Sequence, residues 1–530
     1  MSTAQTITAE QAFSEPQINP WVIGVVVSMA AFMEVLDTSI ANVSLPYIAG
    51  NLGASNDEST WVLTSYLAAN AIVLPITGWL AQVFGRKNFF MLCIAMFTLS
   101  SFCCAAAPSL GLLLLFRGLQ GAFGGGLQPM AQAILKDTFP PKQQGLAFAL
   151  YGVTAVVGPA AGPIIGGWLT DNYVWRWIFY INVPVGILAL VLVHQLVKDP
   201  PSSVKQAVDF SRFDYLGFSF LAIGIAALQV VLDKGQEDDW FGSHFILSLT
   251  ITAAVCLTAL IIWEFRAKEP IVDVRLFRNF NFATTNLMML IVGIALYASS
   301  VMVPQLLETQ MGYTAELSGL VLGGGAGFLL LALPIVGQLL GRYPAKYLVI
   351  FGWLSLSTAM FVSTRVTDLL MSFSHSATLR IFQIVPIGFL FIPITLSAYV
   401  GLPAEKSNSA AGLINFMRNL GGSIGTSIVA TVIARRSQFH ESILAQHTRS
   451  TQFFAAANQL TIRLNHAGIG YADAYRKAIA KLGRIVLSQA AVLSYIDLYW
   501  LLAVATGTMF VLSFWLKKNK PGEGGKVHVG

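Results

Sequence analysis

Apolar runs of roughly 20 residues recur along this chain from Trp21 to Leu516, and each is long enough to cross a hydrocarbon core of about 30 Å as a helix. No other feature restricts the fold as much. Only 11% of the 530 residues are charged, against about 25% in a soluble domain, so a string of three or four soluble domains is excluded. The expected class is an all-α polytopic membrane protein. Cutting at charged, Pro and Gly clusters gives fourteen spans, beginning near Trp21, Ser59, Asn88, Ser109, Gly145, Trp177, Phe213, Ser243, Phe282, Tyr313, Tyr347, His375, Ser407 and Val492.

The formal charge of +6 reports topology and not nucleic-acid binding, because the basic residues lie scattered in short loops. Eighteen of them, from Arg86 and Lys87 to the four lysines after Leu516, fall on one side, and three, Arg176, Lys234 and Arg365, fall in short loops opposite. The excess places both termini in the cytoplasm. The segment between the last two spans, about 438–489, falls outside yet with Arg435 and Arg436 carries eight basic residues; long loops obey the rule poorly. Tyr475, Ile479, Leu482 and Val486 share one helical face there, which suits a cap on the outer membrane surface or a docking site for a partner. The four cysteines sit inside apolar runs as packing residues, with no disulfide or metal pattern. The first 20 residues lack the basic start of a cleavable signal peptide, so the first span is expected to remain.

Self-comparison reveals a repeat. The Pro-Ile-x-Gly-x-Leu run at Pro75–Leu80 returns at Pro334–Leu339, 259 positions on, and Arg117, Gln120, Gly125 and Leu127 return as Arg380, Gln383, Gly388 and Leu390, 263 positions on. Gly158 and Gly162 likewise return as Gly421 and Gly425. The offset spans eight helices. It predicts an N-terminal six-helix bundle over 21–198, two inserted helices within 199–280, and a second six-helix bundle over 281–516 that includes the loop 438–489, flanked by cytoplasmic segments 1–20 and 517–530. Parallel repeats of this kind form two bundles that rock about a central site.

The motifs resemble those of the major facilitator superfamily, and more narrowly its fourteen-helix drug:proton antiporters of the EmrB/QacA type. Leu36 to Pro46 is similar to the family's first-helix motif, Gly78 to Lys87 to the loop motif, Phe116 to Gly121 to the fourth-helix motif, and Gly158 to Gly167 to the fifth-helix antiporter motif. Trp175 to Pro184 and Asn415 to Gly425 resemble the EmrB branch in particular. One departure is clear: Gln82 and Val83 stand where the loop motif has an acidic and then a basic residue, with Asp137 a nearby replacement. The resemblance implies proton-coupled export of small organic molecules across a bacterial inner membrane. It also implies a periplasmic adaptor and an outer-membrane channel as partners where the host has two membranes. It implies no cofactor beyond the coupling proton.

An ionisable residue at a helix centre costs roughly 2.5–3.5 kcal/mol on insertion scales, so each is a functional candidate. Glu34 and Asp37 lie at i and i+3 on one face of the first span, and two carboxylates that close in low dielectric meet the electrostatic requirement for a proton carrier. The alternative is permanent neutralisation by an Arg. Arg117 shares a face with Gln120, Gly124 and Gln128 and is the candidate that holds and releases a carboxylate during the cycle, or else a structural ion pair. Arg418 is a weaker candidate in the second half, with Asn286, Tyr297 and Asn415 proposed to line the substrate path beside Gln120 and Gln128. Arg380 and His375 read as solvated at a helix end, and Asp497 has no evident partner. Gly158, Pro159, Gly162, Pro163, Gly166 and Gly167 suit a hinge or seal between the halves, or close packing alone. Gly78, Gly85, Arg86 and Lys87 form the expected cytoplasmic gate loop.

Nothing in the sequence has the form of a phosphate loop or of a clustered catalytic constellation, so an ATP-driven or enzymatic function is not expected. One proton moving down about 100 mV yields roughly 2.3 kcal/mol, enough for about a fiftyfold gradient of a neutral solute. The expected function is proton-coupled export of amphipathic or aromatic compounds. Its rivals are a dedicated exporter of one metabolite, such as a siderophore or lipid precursor, and a membrane sensor or scaffold, although no soluble signalling domain is evident.

Overall fold

The computed structural model describes residues 19–197, 213–267, 270–403, 406–447 and 451–519. The N-terminal segment before Asn19, the basic tail beyond Asn519 and the loop lysines Lys198 and Lys205 lie outside the described residues. Within them every regular element is helical. Local sequence sets the helix starts. Asn19 accepts from the Trp21 amide at 3.0 Å just ahead of Pro20 and so opens α1 (Pro20–Leu52). Ser55 and Glu58 exchange hydrogen bonds in a capping box that opens α2 (Asn56–Phe84). Between α2 and α3 (Arg86–Ala106) the chain turns at Gly85 with φ 79°, a conformation that favours glycine.

The fourth predicted span is two helices, α4 (Leu110–Gly124) and α5 (Leu127–Thr138), parted at Gly125 and Gly126. A Cβ at Gly126 would lie 2.4 Å from Cys93 Sγ, so α3 presses against the backbone there. The chain continues through α6 (Pro141–Asn172), the short α7 (Trp177–Tyr180) and α8 (Asn182–Leu196). The inserted pair is α9 (Tyr215–Lys234) and α10 (His244–Arg266). The second half contains α11 (Phe280–Thr309), α12 (Ala315–Leu340), α13 (Ala345–Val366), α14 (Phe373–Ala398), α15 (Ser407–His447), α16 (Thr451–His466) and α17 (Tyr471–Ser513). Twelve helical segments among the described residues are long and apolar enough to cross a membrane. The other two predicted spans coincide with α6 and α15.

The packing repeats as the sequence does. α1 lies on α6, α2 on α4, and α3 on α4 and α8; in the second half α11 lies on α15, α12 on α14, and α13 on α14 and α17. The halves meet through α6 on α12 and α14, and through α15 on α2 and α5. Glycines make this approach close. A Cβ on Gly145 would sit 2.6 Å from the Gly337 carbonyl oxygen, and one on Gly78 would sit 2.6 Å from Ser409 Cα. These contacts all lie toward the end of the bundle that carries Gly85 to Lys87 and Arg342, where the halves are closed on each other. The inserted α9 touches both halves: Asp233 accepts from Thr64 of α2, and Gln229 accepts from Ser423 of α15 at 3.0 Å.

The segment 438–489 is not a loop or a flat cap. α15 runs unbroken for 41 residues and α17 for 43, about 60 Å each at 1.5 Å per residue and twice the hydrocarbon thickness. Both therefore extend beyond any bilayer, with α16 packed along α17. Of the four residues expected to share one helical face, Ile479, Leu482 and Val486 are half-buried. Tyr475 is exposed, while Ala474 and Ala478 on α17 and Ala457 and Thr461 on α16 are buried, because helices in such close contact select small residues. Asp497 has partners after all: Arg436 Nε at 2.6 Å and His440 Nε2 at 2.7 Å staple α15 to α17 at the base of the extension. A cysteine at the exposed Asn465, in a background without native cysteines, should react with a membrane-impermeant maleimide added outside whole cells or spheroplasts. Labelling only in inverted vesicles would overturn the fourteen-span orientation.

Candidate functional site

Glu34 and Asp37 are both buried, at 4% and 1% exposure, on the inward face of α1. Their i, i+3 spacing puts them one above the other, as the sequence implies, but they meet different surroundings. Asp37 accepts from Arg117 Nη1 at 2.6 Å, Gln120 Nε2 at 2.9 Å and Asn182 Nδ2 at 2.7 Å. Arg117, with no exposed surface, also donates from Nε to the Val62 carbonyl at 3.2 Å and lies 4.4 Å over the Tyr66 ring. Asn182 is held in turn by Ser101 Oγ at 3.0 Å. All of these residues belong to the first half. This layer is an ion pair sealed inside one rigid bundle.

Glu34 pairs with no cation directly. Its carboxylate accepts from the Tyr66 hydroxyl at 3.3 Å, from Asn70 Nδ2 at 3.2 Å and from Gln128 Nε2. The other end of the Gln128 amide accepts from the Tyr151 hydroxyl at 2.9 Å and from Arg418 Nη2. Arg418 sits on α15, in the second half, so Gln128 links the carboxylate of one half to the guanidinium of the other. Asn419 Nδ2 completes a parallel link by donating to Asn70 Oδ1 at 3.2 Å.

The link continues as a zipper along α5. Gln132 and Asn415 exchange hydrogen bonds at 3.3 and 2.9 Å, and Lys136 Nζ donates to Ser407 Oγ at 2.6 Å. Gln128, Gln132 and Lys136 recur every four residues, so they form one polar stripe on α5 that faces α15 run antiparallel. That spacing is visible in the sequence once α5 is treated as a helix of its own. Asn70, Asn182, Tyr66 and Tyr151 gave no such signal, because single amides and tyrosines in apolar runs are common.

Residues 27–426 match the Major Facilitator Superfamily. The chain belongs to that superfamily. It is 36% identical over 493 residues to the multidrug export protein EmrB of Haemophilus influenzae, covering 92% of this chain and 94% of that protein. It is 35% identical over 506 residues to multidrug export protein EmrB of Escherichia coli K12, covering 95% and 96%. The fatty acid resistance protein FarB of Neisseria gonorrhoeae is 37% identical over 444 residues, covering 83% and 86%. These relatives place the chain in the EmrB branch. The solved structure of the proton:xylose symporter XylE shares the fold, with a TM-score of 0.60 at 12% identity over 95% of this chain and 97% of that one.

Against this superfamily architecture, the remaining candidates are placed as follows. In the gate loop, Arg86 pairs with Asp137, Lys87 donates to the His194 carbonyl at 2.7 Å, and Gln82 is exposed. The antiporter-motif glycines Gly158, Gly162 and Gly166 press on α1 of their own half at Val35, Ser39 and Ile40, while a Cβ on Gly167 would meet open space. The Pro159 carbonyl accepts from Ser39 Oγ at 3.3 Å, and Pro163 lies in the same helix. Contact with the opposite half is made earlier on α6, by Gly145 and Gly152. Asn286 is buried and donates to its own helix at Phe282 O, and the Tyr297 ring lies against Gly422. His375 is exposed, as expected, but Arg380 is 4% exposed and not solvated.

Removing one member of a buried ion pair costs about 3–5 kcal/mol, because the other charge is stranded. Asp37→Asn and Arg117→Gln should each destabilise the purified protein by that order in thermal unfolding. The double variant should lie closer to wild type than either single one, since neither charge is then left alone.

Proposed function

We propose that this chain is a proton-coupled exporter of amphipathic or aromatic organic compounds, in which Glu34 senses the proton and Arg418 carries its state to the opposite half. The observation behind this reading is the Glu34–Gln128–Arg418 link, which joins a titratable side chain of one bundle to a fixed cation of the other. The excess of basic residues in the loops at the closed end supports a cytoplasmic position for it in a bacterial inner membrane, and on that reading the link belongs to a state closed inward. A proton arriving from outside discharges Glu34, and the Gln128 amide then loses the charge that orients it toward Arg418. The zipper along α5 is weakened at its inner end, the halves part on the cytoplasmic side, and the proton leaves as a substrate enters. Asp37 and Arg117 remain paired within their own bundle and keep α1 and α4 moving as one body. The names of the relatives, which denote multidrug export and fatty acid resistance, support the substrate class.

Proteoliposome assays test this. Glu34→Gln should keep substrate binding within a fewfold of wild type and lose substrate-driven proton release by about tenfold or more. Proton release equal to wild type would remove Glu34 from the coupling.

A periplasmic adaptor is the partner that suits the helical extension. Beyond the membrane α16 and α17 expose Phe454, Ile462, Tyr471 and Ile485, apolar side chains of the kind that mark interaction surfaces when clustered. Phe454→Asp with Ile462→Asp should leave transport in proteoliposomes unchanged and abolish resistance in a two-membrane host that carries the adaptor and outer-membrane channel. Unchanged resistance would remove the adaptor contact from this face.

A further inference from the structure

The internal repeat sets the Asp37 layer of the first half beside a counterpart in the second that lacks its carboxylate. Arg117 and Gln120 of α4 correspond to Arg380 and Gln383 of α14, 263 positions on, and Ser101 of α3 corresponds to Ser363 of α13, 262 positions on. In space Ser299 of α11 faces Arg380 as Asp37 of α1 faces Arg117, three residues beyond Leu296, where the 259-residue offset puts Asp37. Arg380 Nη1 donates to Ser299 Oγ at 2.9 Å and Nη2 to Ser300 Oγ at 3.1 Å, and Gln383 Nε2 donates to Ser363 Oγ at 2.9 Å, where Arg117 and Gln120 both donate to Asp37. Two hydroxyls therefore stand where the first half has an anion.

Arg380 is thus a buried guanidinium that pairs with no carboxylate among the described residues, and its Nε has no hydrogen-bond partner. It lines a small cavity with Val303, Leu306, Leu379, Gln383 and Tyr499, at the end of the bundle opposite the gate loop. The Tyr499 hydroxyl accepts from Gln383 Nε2 at 3.2 Å, which leaves its own proton to be donated. The cavity has room for about one particle of water size. A water there would satisfy Arg380 Nε and the orphaned Gln383 Oε1 but would leave the positive charge uncompensated, and a buried cation without a counter-ion is strongly disfavoured.

We propose that this cavity binds a small monovalent anion against Arg380, either a halide or the carboxylate of a transported compound, which supplies the charge that Asp37 supplies in the first half. The site is independent of the coupling scheme above and can be tested without transport. Purified full-length protein is unfolded thermally at fixed ionic strength while potassium chloride, or potassium octanoate below its micellar concentration, replaces potassium gluconate, whose strongly hydrated polyhydroxyl chain does not suit the apolar lining of Val303, Leu306 and Leu379. Wild type should gain stability saturably with one of the two, as linkage requires of a ligand that binds only the folded state. Chloride active alone identifies a halide site, and octanoate active alone or displacing chloride identifies a carboxylate site.

Ser299→Asp builds in the missing counter-ion and should abolish the anion response without loss of stability in gluconate. Arg380→Gln should weaken the apparent affinity by about tenfold or more. Should either variant fail to fold, broadening of the chloride-35 resonance by wild type, reversed by octanoate or by excess bromide, reads the same site. An undiminished response in Ser299→Asp, or no saturable response of wild type to either anion, would overturn the proposal.

Discussion

Charge buried in a low-dielectric helical bundle must be met by partners fixed in the right place, and the architecture of this transporter is organised around how that requirement is met. Asp37 and Arg117 meet it with each other within one half. Glu34 meets it with neutral amides and a phenol, and reaches a cation only through Gln128 and across the boundary between the halves. The two carboxylates are a single helical turn apart, yet one is bonded within its own half and the other is linked across the boundary between the halves.

Close packing makes that joint effective. The halves touch where glycines let backbones approach, at Gly145 against Gly337 and Gly78 against Ser409, and the polar stripe of α5 lies between these contacts. Amide and lysine hydrogen bonds along such a seam are strong while water is excluded and weak once it enters. The glycine-rich face of α6 plays a different part: by holding α1 at van der Waals distance it carries Glu34 and Asp37 with the first half as one body.

The second half keeps the scaffold of the first and alters its chemistry. Arg380 and Gln383 are buried as Arg117 and Gln120 are, but they donate to Ser299, Ser300 and Ser363, where the first-half pair donates to Asp37. Duplication preserved the helix contacts because packing depends on shape. The charges were free to diverge, since each needs only a local partner.

Much of the fold was legible in the chain itself. Apolar runs and caps placed the helices, because a bilayer imposes a length rule on each segment separately. The repeat disclosed two halves, and the spacing of Glu34 and Asp37 put both on one face. The spacing of Tyr475 to Val486 marked part of the region after Gln438 as helical, but the sequence did not show that its helices continue the flanking spans as α15 and α17, since its charged, alanine-rich composition suits a separate surface segment equally well. Nor could it show that Arg380 is buried, or that Gln128 is the bridge to Arg418, 290 positions away. Helical periodicity tells which residues share a face, and only the packing of one helix on another decides what that face meets.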